Sequence, residues 1–370
     1  MQDLHRIAVV VVESDPLLLK ALRKALQSVD SSMQITLISE QQLDEQLFKE
    51  KHFDVAFISV SIENEQFTHA LLVFLQQQSP LTVRCLLKGV TSKEWNWQLD
   101  DNIHFCLAKP YSHADLRHVI NCTAQVKALP IDTPAKMLLG KMKNLPVMRQ
   151  QITAIMEAFA ANPVEIPIIA ELISNEPALS GRVIQTANSA FLGFSSETVN
   201  LKQALARIGT TACHALVIHT EAHNHYQHRL AEQLLVKITT DAFARANQAR
   251  EFAIKLGLTA KQKDTVFILG LLSGIGAMAL TVFAKGFSES HFLNQELVSA
   301  YILNLWGFTP AVTKNMLLPN SLSEVTSTEM AVHYLAKVYV CGKKIDLTPS
   351  ELTRMTELGL SDLILEFVTQ

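Results

Sequence analysis

The chain has 370 residues, of which 48% are hydrophobic and 18% are charged, and its formal net charge is −3. This length indicates more than one domain, and the apolar composition excludes long disordered tracts. The slightly negative charge excludes a strong basic field, so we do not expect nucleic acid as the main ligand.

The cysteines and the longest apolar run indicate the cellular compartment of the protein and whether it enters a membrane. None of the five cysteines forms a C-x-x-C motif, and the N-terminus has no secretory leader, so we expect reduced thiols in a cytoplasmic protein. Residues 265–284 carry no charge, and a helix of this length could cross a bilayer. The run contains three glycines and lacks Trp or Tyr at its ends. We therefore predict a buried core helix and no membrane association.

The first third of the chain alternates strand-like and helix-like runs. The predicted strands are Ile7–Val12, Gln34–Ile38, Val55–Ser59, Val83–Leu87 and His104–Leu107. After the first of them, apolar residues recur at helical spacing at Leu18, Leu22, Ala25 and Val29. Such alternation predicts an α/β fold with a doubly wound parallel sheet.

The rest of the chain reads as helix after helix. Asn175-Glu176-Pro177 is typical of a helix start, and the residues Leu201, Ala204, Leu205 and Ile208 form an apolar face that ends at Gly209. Two prolines in residues 128–140 favour a linker there. The predicted division is an α/β domain at 1–127, a linker at 128–140 and an all-α domain at 141–370.

Three motifs in the first domain resemble those of response-regulator receiver domains. They are Val12-Glu13-Ser14-Asp15-Pro16, the run Asp54 to Ser59, and Lys109-Pro110. The resemblance implies a (βα)5 fold with a phosphorylation pocket at Glu13, Ser14, Asp15, Ser59, Leu87 and Lys109. The phosphoacceptor position is Ser59, the second acidic position is Ser14, and the hydroxyl switch position is Leu87. Asp15 could reach the pocket only if the alignment shifted.

The missing chemistry decides the interpretation of this domain. Mg²⁺ and phosphoryl transfer need a cluster of carboxylates, and the pocket retains Glu13 and Lys109, which could simply pair with each other. We therefore predict a pseudo-receiver that is not phosphorylated.

The all-α domain resembles the HDOD family, a catalytically degenerate relative of HD-type metal phosphohydrolases. The specific motifs are Glu176-Pro177-Ala-Leu and Ala187-Asn188-Ser189-Ala-Phe191. We expect structural roles for them: Asn188 and Ser189 would bind backbone groups at a helix end, and Phe191 would fill the core.

The resemblance also locates the degenerate HD site. The His-Asp pair falls on Ser273-Gly274, the later histidine position on Leu318-Pro319-Asn320, and the first-helix position beside Asp241. A hydroxymethyl group and a hydrogen cannot hold a divalent metal. We therefore expect no metal, no cofactor and no catalytic residue at Ser273, Gly274, Asp241, Pro319 and Asn320.

Five histidines cluster elsewhere, at His214, His219, His223, His225 and His228. His219 and His223 lie four residues apart and could share a helix face, but the segment lacks the zincin order. We interpret the cluster as a solvated helix end, and leave open whether it binds metal.

The sequence thus predicts a non-enzymatic, bacterial-type signal-transduction protein of the two-component kind, acting through protein–protein interaction. Signalling proteins are the expected partners, and a homodimer or a small nucleotide ligand remains open. Two alternatives stay in view: a metal-dependent phosphohydrolase acting on a nucleotide, and a small-ligand sensor that uses the vacated HD cavity.

Overall fold

The computed structural model describes residues 6–40, 45–89, 102–143, 145–146, 150–161, 163–188, 196–284, 293–342 and 347–368. The chain divides into two compact units. The first comprises Met1–Val147, Phe283–Leu293 and Tyr301–Pro310. The second comprises Met148–Val282, Asn294–Ala300 and Ala311–Gln370.

A five-stranded parallel sheet forms the centre of the first unit. Its strands are β1 (Ala8–Val12), β2 (Gln34–Ile38), β3 (Val55–Val60), β4 (Val83–Lys88) and β5 (Phe105–Ala108). They lie in the order β2-β1-β3-β4-β5, which is a doubly wound order. The predicted fold class is confirmed, and each strand begins and ends within one residue of its prediction.

The helices of the first unit are α1 (Pro16–Val29), α2 (Glu45–Glu50), α3 (Glu65–Gln78), α4 (His113–Lys127) and α5 (Thr133–Lys141). In α1 the buried residues are Leu19, Leu22 and Leu26, whereas Leu18 is 39% exposed. The predicted face was therefore wrong by about one residue. The run of leucines at 17–19 fits two overlapping helical stripes, and only contact with the sheet selects one of them.

Helix α5 occupies the segment predicted as a linker. The side chain of Asp132 accepts a hydrogen bond from the Ala135 N–H at 2.8 Å and starts the helix, and Leu138 and Leu139 are buried. Arg84 donates from Nη2 to the Gly140 carbonyl at 3.1 Å. Residues 133–141 thus pack within the first unit, and the first unit extends beyond its predicted end at residue 127.

The second unit is helical over its described residues, as predicted. Its helices are α6 (Gln150–Ala160), α7 (Ile166–Ser174), α8 (Pro177–Ala187), α9 (Leu201–Ile208), α10 (Thr210–Tyr226), α11 (Glu232–Lys255), α12 (Ala260–Ala284), the first part of α13 (Gln295–Leu305), and then α14 (Pro310–Met316), α15 (Thr328–Val340), α16 (Pro349–Glu357) and α17 (Ser361–Val368).

Helix α12 is the apolar run noted in the sequence. By length and composition alone it could cross a membrane, with a mean hydropathy of 2.3, but 78% of that stretch is buried inside the structure. Its glycines allow close packing: a Cβ added to Gly270 would lie 2.5 Å from the backbone of Ala246 on α11. This is the environment of a core helix.

Candidate functional site

The edge of the sheet at the carboxyl ends of β1 and β3 brings together three of the predicted receiver residues. Ser59 donates a short hydrogen bond to Oε2 of Glu13, and Lys109 donates to the same oxygen from Nζ at 3.0 Å. The other oxygen, Oε1, accepts from the backbone N–H of Asp15 at 3.1 Å. We call Glu13, Ser59 and Lys109 the receiver-edge cluster.

The negative charge of Glu13 in this cluster is balanced by the positive charge of Lys109. Burial alone would raise the pKa of the Glu13 carboxyl, but the hydrogen bonds from Ser59, the Asp15 N–H and Lys109 outweigh it and hold the pKa below its ordinary value. Glu13 is 4% exposed, and its carboxylate is satisfied by an ammonium and a hydroxyl. A Mg²⁺ ion would have to displace both, so these residues do not fit that ion.

The remaining predicted receiver residues, Asp15, Ser14 and Leu87, are not part of the receiver-edge cluster. The Asp15 side chain caps α1, accepting from the N–H of Leu17 at 2.7 Å, so it is turned toward the helix. Ser14 is exposed. Leu87 is fully buried and pairs in register with Ser59 across β3 and β4.

In the second unit, the two positions of the expected His-Asp pair are buried and already occupied by contacts. Ser273 is 0% exposed; its hydroxyl donates to the Gly270 carbonyl at 2.7 Å and accepts from Arg245 Nη1 at 3.1 Å. A Cβ added to Gly274 would lie 2.8 Å from the Cβ of Ala242 and 3.2 Å from Nε2 of His219. A guanidinium and an imidazole therefore lie where metal ligands were expected.

Further buried charges lie nearby. Lys337 on α15 pairs with Glu296 on α13 at 2.9 Å, and His333 is close enough to Glu296, Arg245 and Lys337 for their charges to act on it. We call the six side chains His219, Arg245, Ser273, Glu296, His333 and Lys337 the helix-core polar cluster.

The imidazoles of this cluster are held neutral. Burial lowers the pKa of His219 to about 3 and that of His333 to about 4. Several polar atoms of the cluster find no hydrogen-bond partner among the described residues: His219 Nε2, Arg245 Nε, Glu296 Oε2 and both ring nitrogens of His333. Unsatisfied buried groups in a native protein call for an explanation such as water or a bound group.

The cluster does not fit a catalytic metal. Within the described ranges, no group of three His, Cys, Asp or Glu side chains could hold a metal ion. At Ser273 itself the neighbour is Arg245, a permanent cation that a divalent ion would meet at close range. The other predicted positions contribute little, since Asn320 is exposed and Pro319 and Asp241 are partly exposed.

The histidine cluster corrects one expectation. His219 is buried, with 1% exposed, and His214 is only partly exposed and stacks on the ring of Phe159 with centroids 5.2 Å apart. The reason is that α10 is buried around most of its circumference, so spacing along the helix does not predict exposure. His228 is exposed, as expected.

Sequence reasoning missed Arg245, Glu296 and His333. A signal existed for Arg245, which lies among the small residues Ala242, Ala246 and Ala249 on the buried face of α11. A charge on an apolar helix face is rarely left without a partner.

The HDOD-like motif forms a corner at the end of α8. Asn188 donates from Nδ2 to the Thr198 carbonyl and accepts from the Thr198 N–H, both at 2.8 Å. Pro177 begins α8, and the carbonyl of Glu176 accepts from the Ser180 N–H at 2.9 Å. Ser189 and Phe191 lie outside the described residues.

Several solved structures are similar to this chain, among them the following three. A provisionally assigned metal-dependent phosphohydrolase from Shewanella amazonensis SB2B is 18% identical, with 67% of this chain and 90% of that one covered and a TM-score of 0.46. An HDOD domain protein of unknown function from Geobacter sulfurreducens is 15% identical, covering 64% and 93%, with a TM-score of 0.49. The MmoQ response regulator from Methylococcus capsulatus str. Bath is 19% identical, covering 59% and 94%, with a TM-score of 0.29.

Comparison of sequences gives one negative and one positive result. A search of curated proteins finds no match. The HDOD domain family, in contrast, matches residues 145–291, the region that contains the Asn188 corner and the Ser273-Gly274 positions. This chain therefore contains an HDOD domain, preceded by a doubly wound parallel sheet.

Proposed function

We propose that the protein is a non-enzymatic regulator of bacterial signal transduction that acts by binding partner proteins. In this proposal the receiver-like sheet takes no phosphoryl group and the HDOD domain takes no catalytic metal. Two-component signalling proteins are the expected partners, and the free state of all five cysteines supports a cytoplasmic location.

The contact between Arg245 and Ser273 carries the proposal. An HD-type hydrolase activates water on a metal held by imidazole and carboxylate groups. Here the guanidinium donates to the Ser273 hydroxyl at 3.1 Å, and Arg245 is 6% exposed. A fixed cation at this place opposes metal binding, whereas it can hold the helices of a regulatory domain together.

The first experiment tests for hydrolysis. The full chain is incubated with Mn²⁺ or Mg²⁺ and with nucleoside triphosphates or cyclic dinucleotides, with and without chelator. We expect no turnover. The matched control is His219→Gln, which changes a group beside Gly274. Chelator-sensitive hydrolysis that co-purifies with the chain would overturn the proposal, and its loss in this variant would place the activity beside Gly274.

The second experiment tests the receiver-edge cluster. The full chain is incubated with Mg²⁺ and a small phosphodonor or beryllofluoride, and the products are mapped by mass spectrometry. We expect no stable label. The Ser59→Asp variant serves as comparison, because it places a second carboxylate beside Glu13. Stable phosphate on Ser59 or Asp15 of the wild-type chain would refute the proposal for this domain.

The third experiment tests partner binding directly. The full chain captures proteins from the native host, and each candidate is then purified and its affinity measured. We expect a signalling protein that binds without nucleotide, metal or phosphodonor. Dependence of binding on any of these would contradict a constitutive, surface-mediated role.

A small-ligand sensor is a second candidate, favoured by the unpartnered atoms of the helix-core polar cluster. The contacts that crowd Gly274 leave little room for a nucleotide, so the occupant would be small and polar. A thermal-shift series with small polar probes (inorganic phosphate, acetate and glycerol), with nucleoside triphosphates for comparison, tests this: a saturable rise in melting temperature with a small probe would make sensing the better description.

A further inference from the structure

The first unit contains a cavity that none of the sites above uses. Its volume is about 230 Å³. It lies at the amino-terminal end of the sheet, beside Asp54 and Val83, whereas Ser59 lies about 16 Å along β3 at the other end. Its described lining residues all belong to the first unit and include His52, Asp54, Leu81, Lys127, Leu129 and Lys136.

Two lysines line this cavity, and they differ in their partners. Lys127, the last residue of α4, donates from Nζ to Asp54 Oδ2 at 2.9 Å. Lys136, on α5, donates from Nζ to the carbonyl of Lys127 at 2.8 Å. No carboxylate among the described residues pairs with Lys136.

Asp54 supplies the carboxylate among the described lining residues, and its oxygens already have partners. Asp54 is 5% exposed, accepts from the Ala8 N–H at 2.8 Å, pairs with Lys127, and lies 3.6 Å from His52 Nε2. Burial would raise the pKa of Asp54, but these hydrogen bonds and the Lys127 charge outweigh it and hold the pKa low. Asp54 therefore neutralises Lys127, and the positive charge of Lys136 is left over.

A partly buried ammonium without a counter-charge is costly, and a bound anion would offset that cost. Burial lowers the pKa of Lys136, in the direction expected for an ammonium that lacks such a partner. The rest of the wall is largely apolar, with Leu81, Val83 and Leu129. A few convergent polar groups in an apolar cavity are typical of a small-molecule site.

We propose that this cavity binds a small organic anion, a carboxylate or a phosphate monoester, with its charged group on Lys136 and a short apolar group against Leu81, Val83 and Leu129. The volume limits the ligand to a few heavy atoms beyond the charged group. The site is independent of the receiver-edge cluster and of the HDOD domain, so it can exist whether or not the proposed function is correct.

The experiment measures binding of defined probes to the full chain by saturation-transfer NMR and titration. The probes are butyrate, butyl phosphate and inorganic phosphate, with 1-butanol and butylamine as neutral and cationic controls. We expect at least one anion to bind saturably and the two controls not to bind. Binding of butyrate alone would identify a carboxylate site, and binding of both phosphates a phosphate site.

Variants connect the binding to Lys136. Lys136→Met keeps the length and removes the charge, and we expect it to weaken anion binding by about tenfold or more. Lys136→Arg should retain binding, and Lys20→Met, on the exposed face of α1, should not change it. Melting temperatures without ligand show that each variant folds. The proposal is overturned if no anion binds, if 1-butanol binds as well as butyrate, or if Lys136→Met binds like the wild type.

Discussion

Replacing Gly276 by alanine tests whether close contact between helices seals the core of the second unit. An added Cβ would lie 1.9 Å from the carbonyl oxygen of Gln295 and 2.6 Å from the backbone nitrogen of Ser299. Ordinary contacts begin at 3.4 Å, so the backbones must move apart by about 1.5 Å, the difference between 3.4 and 1.9. Both neighbours are backbone atoms, which cannot rotate away as a side chain can.

The expected loss of stability has three parts. Alanine is favoured over glycine inside a helix by about 1 kcal/mol. Overpacking of a filled core costs about 1–3 kcal/mol. Separation would also break the hydrogen bond from the Gly276 N–H to Ser299 Oγ, now 2.9 Å long, at about 1–3 kcal/mol. The net expectation is a decrease of about 3 kcal/mol in the free energy of unfolding.

The assay is urea unfolding of the full chain followed by far-ultraviolet circular dichroism. The matched control is Gly181→Ala in α8, where an added Cβ meets no atom within 4 Å. That control should gain up to about 1 kcal/mol from helix propensity. The reasoning is refuted if Gly276→Ala is as stable as the wild type, or if the two variants change stability alike.

Three further predictions concern single side chains. Burial lowers the pKa of His333 to about 4, below the unfolded value of about 6.5, so its contribution to stability is present above pH 6.5 and is lost as the pH falls toward 4. At pH 5.5 that loss is about 1.4 kcal/mol, and His333→Gln should remove it from a pH series of thermal unfolding; an unchanged pH slope would contradict this. Lys109→Met should destabilise the protein by about 1–3 kcal/mol at neutral pH, because it leaves the Glu13 carboxylate buried without an ammonium. The loss, measured by urea unfolding, should shrink at acidic pH as Glu13 takes up a proton, and equal losses at both pH values would count against the ion pair. Asn188→Ala should cost about 1–2 kcal/mol in thermal unfolding, since it removes both hydrogen bonds to Thr198; a variant as stable as the wild type would mean that the corner is held by other contacts.

The sheet could be predicted from the sequence almost residue by residue, and the reason is visible in β3. All six residues of Val55–Val60 are buried, and the strand is an apolar run that Ser59 alone interrupts, bounded by the polar residues Asp54 and Ser61. Helix α5 was missed because the prolines at 130 and 134 read as linker residues. The second of them in fact lies in the first turn of the helix, where proline is well tolerated.

The candidate site could be predicted only in part. The loss of the His-Asp pair at Ser273-Gly274 is readable, because it concerns the identity of two residues. The replacement by Arg245 is not readable, because 28 residues separate the two partners of that hydrogen bond and no local pattern links them. The contact between Lys109 and Glu13, which are 96 residues apart, has no local pattern either, and it was anticipated only through the resemblance to receiver domains.

Gly209 connects α9 and α10 without a loop, and this has a mechanical consequence. Its N–H donates to the Leu205 carbonyl at 2.9 Å and its carbonyl accepts from the Cys213 N–H at 3.0 Å, with a φ of 87° that side chains rarely tolerate. Helices α9 and α10 are therefore joined at a bend at Gly209, with no intervening loop, and we expect residues 201–226 to move as one rigid element. Amide hydrogen exchange should therefore show no fast-exchanging amides at Gly209 between the two helices. A peptide inserted after Gly209 should lower the stability of the protein more than the same peptide inserted in a surface loop.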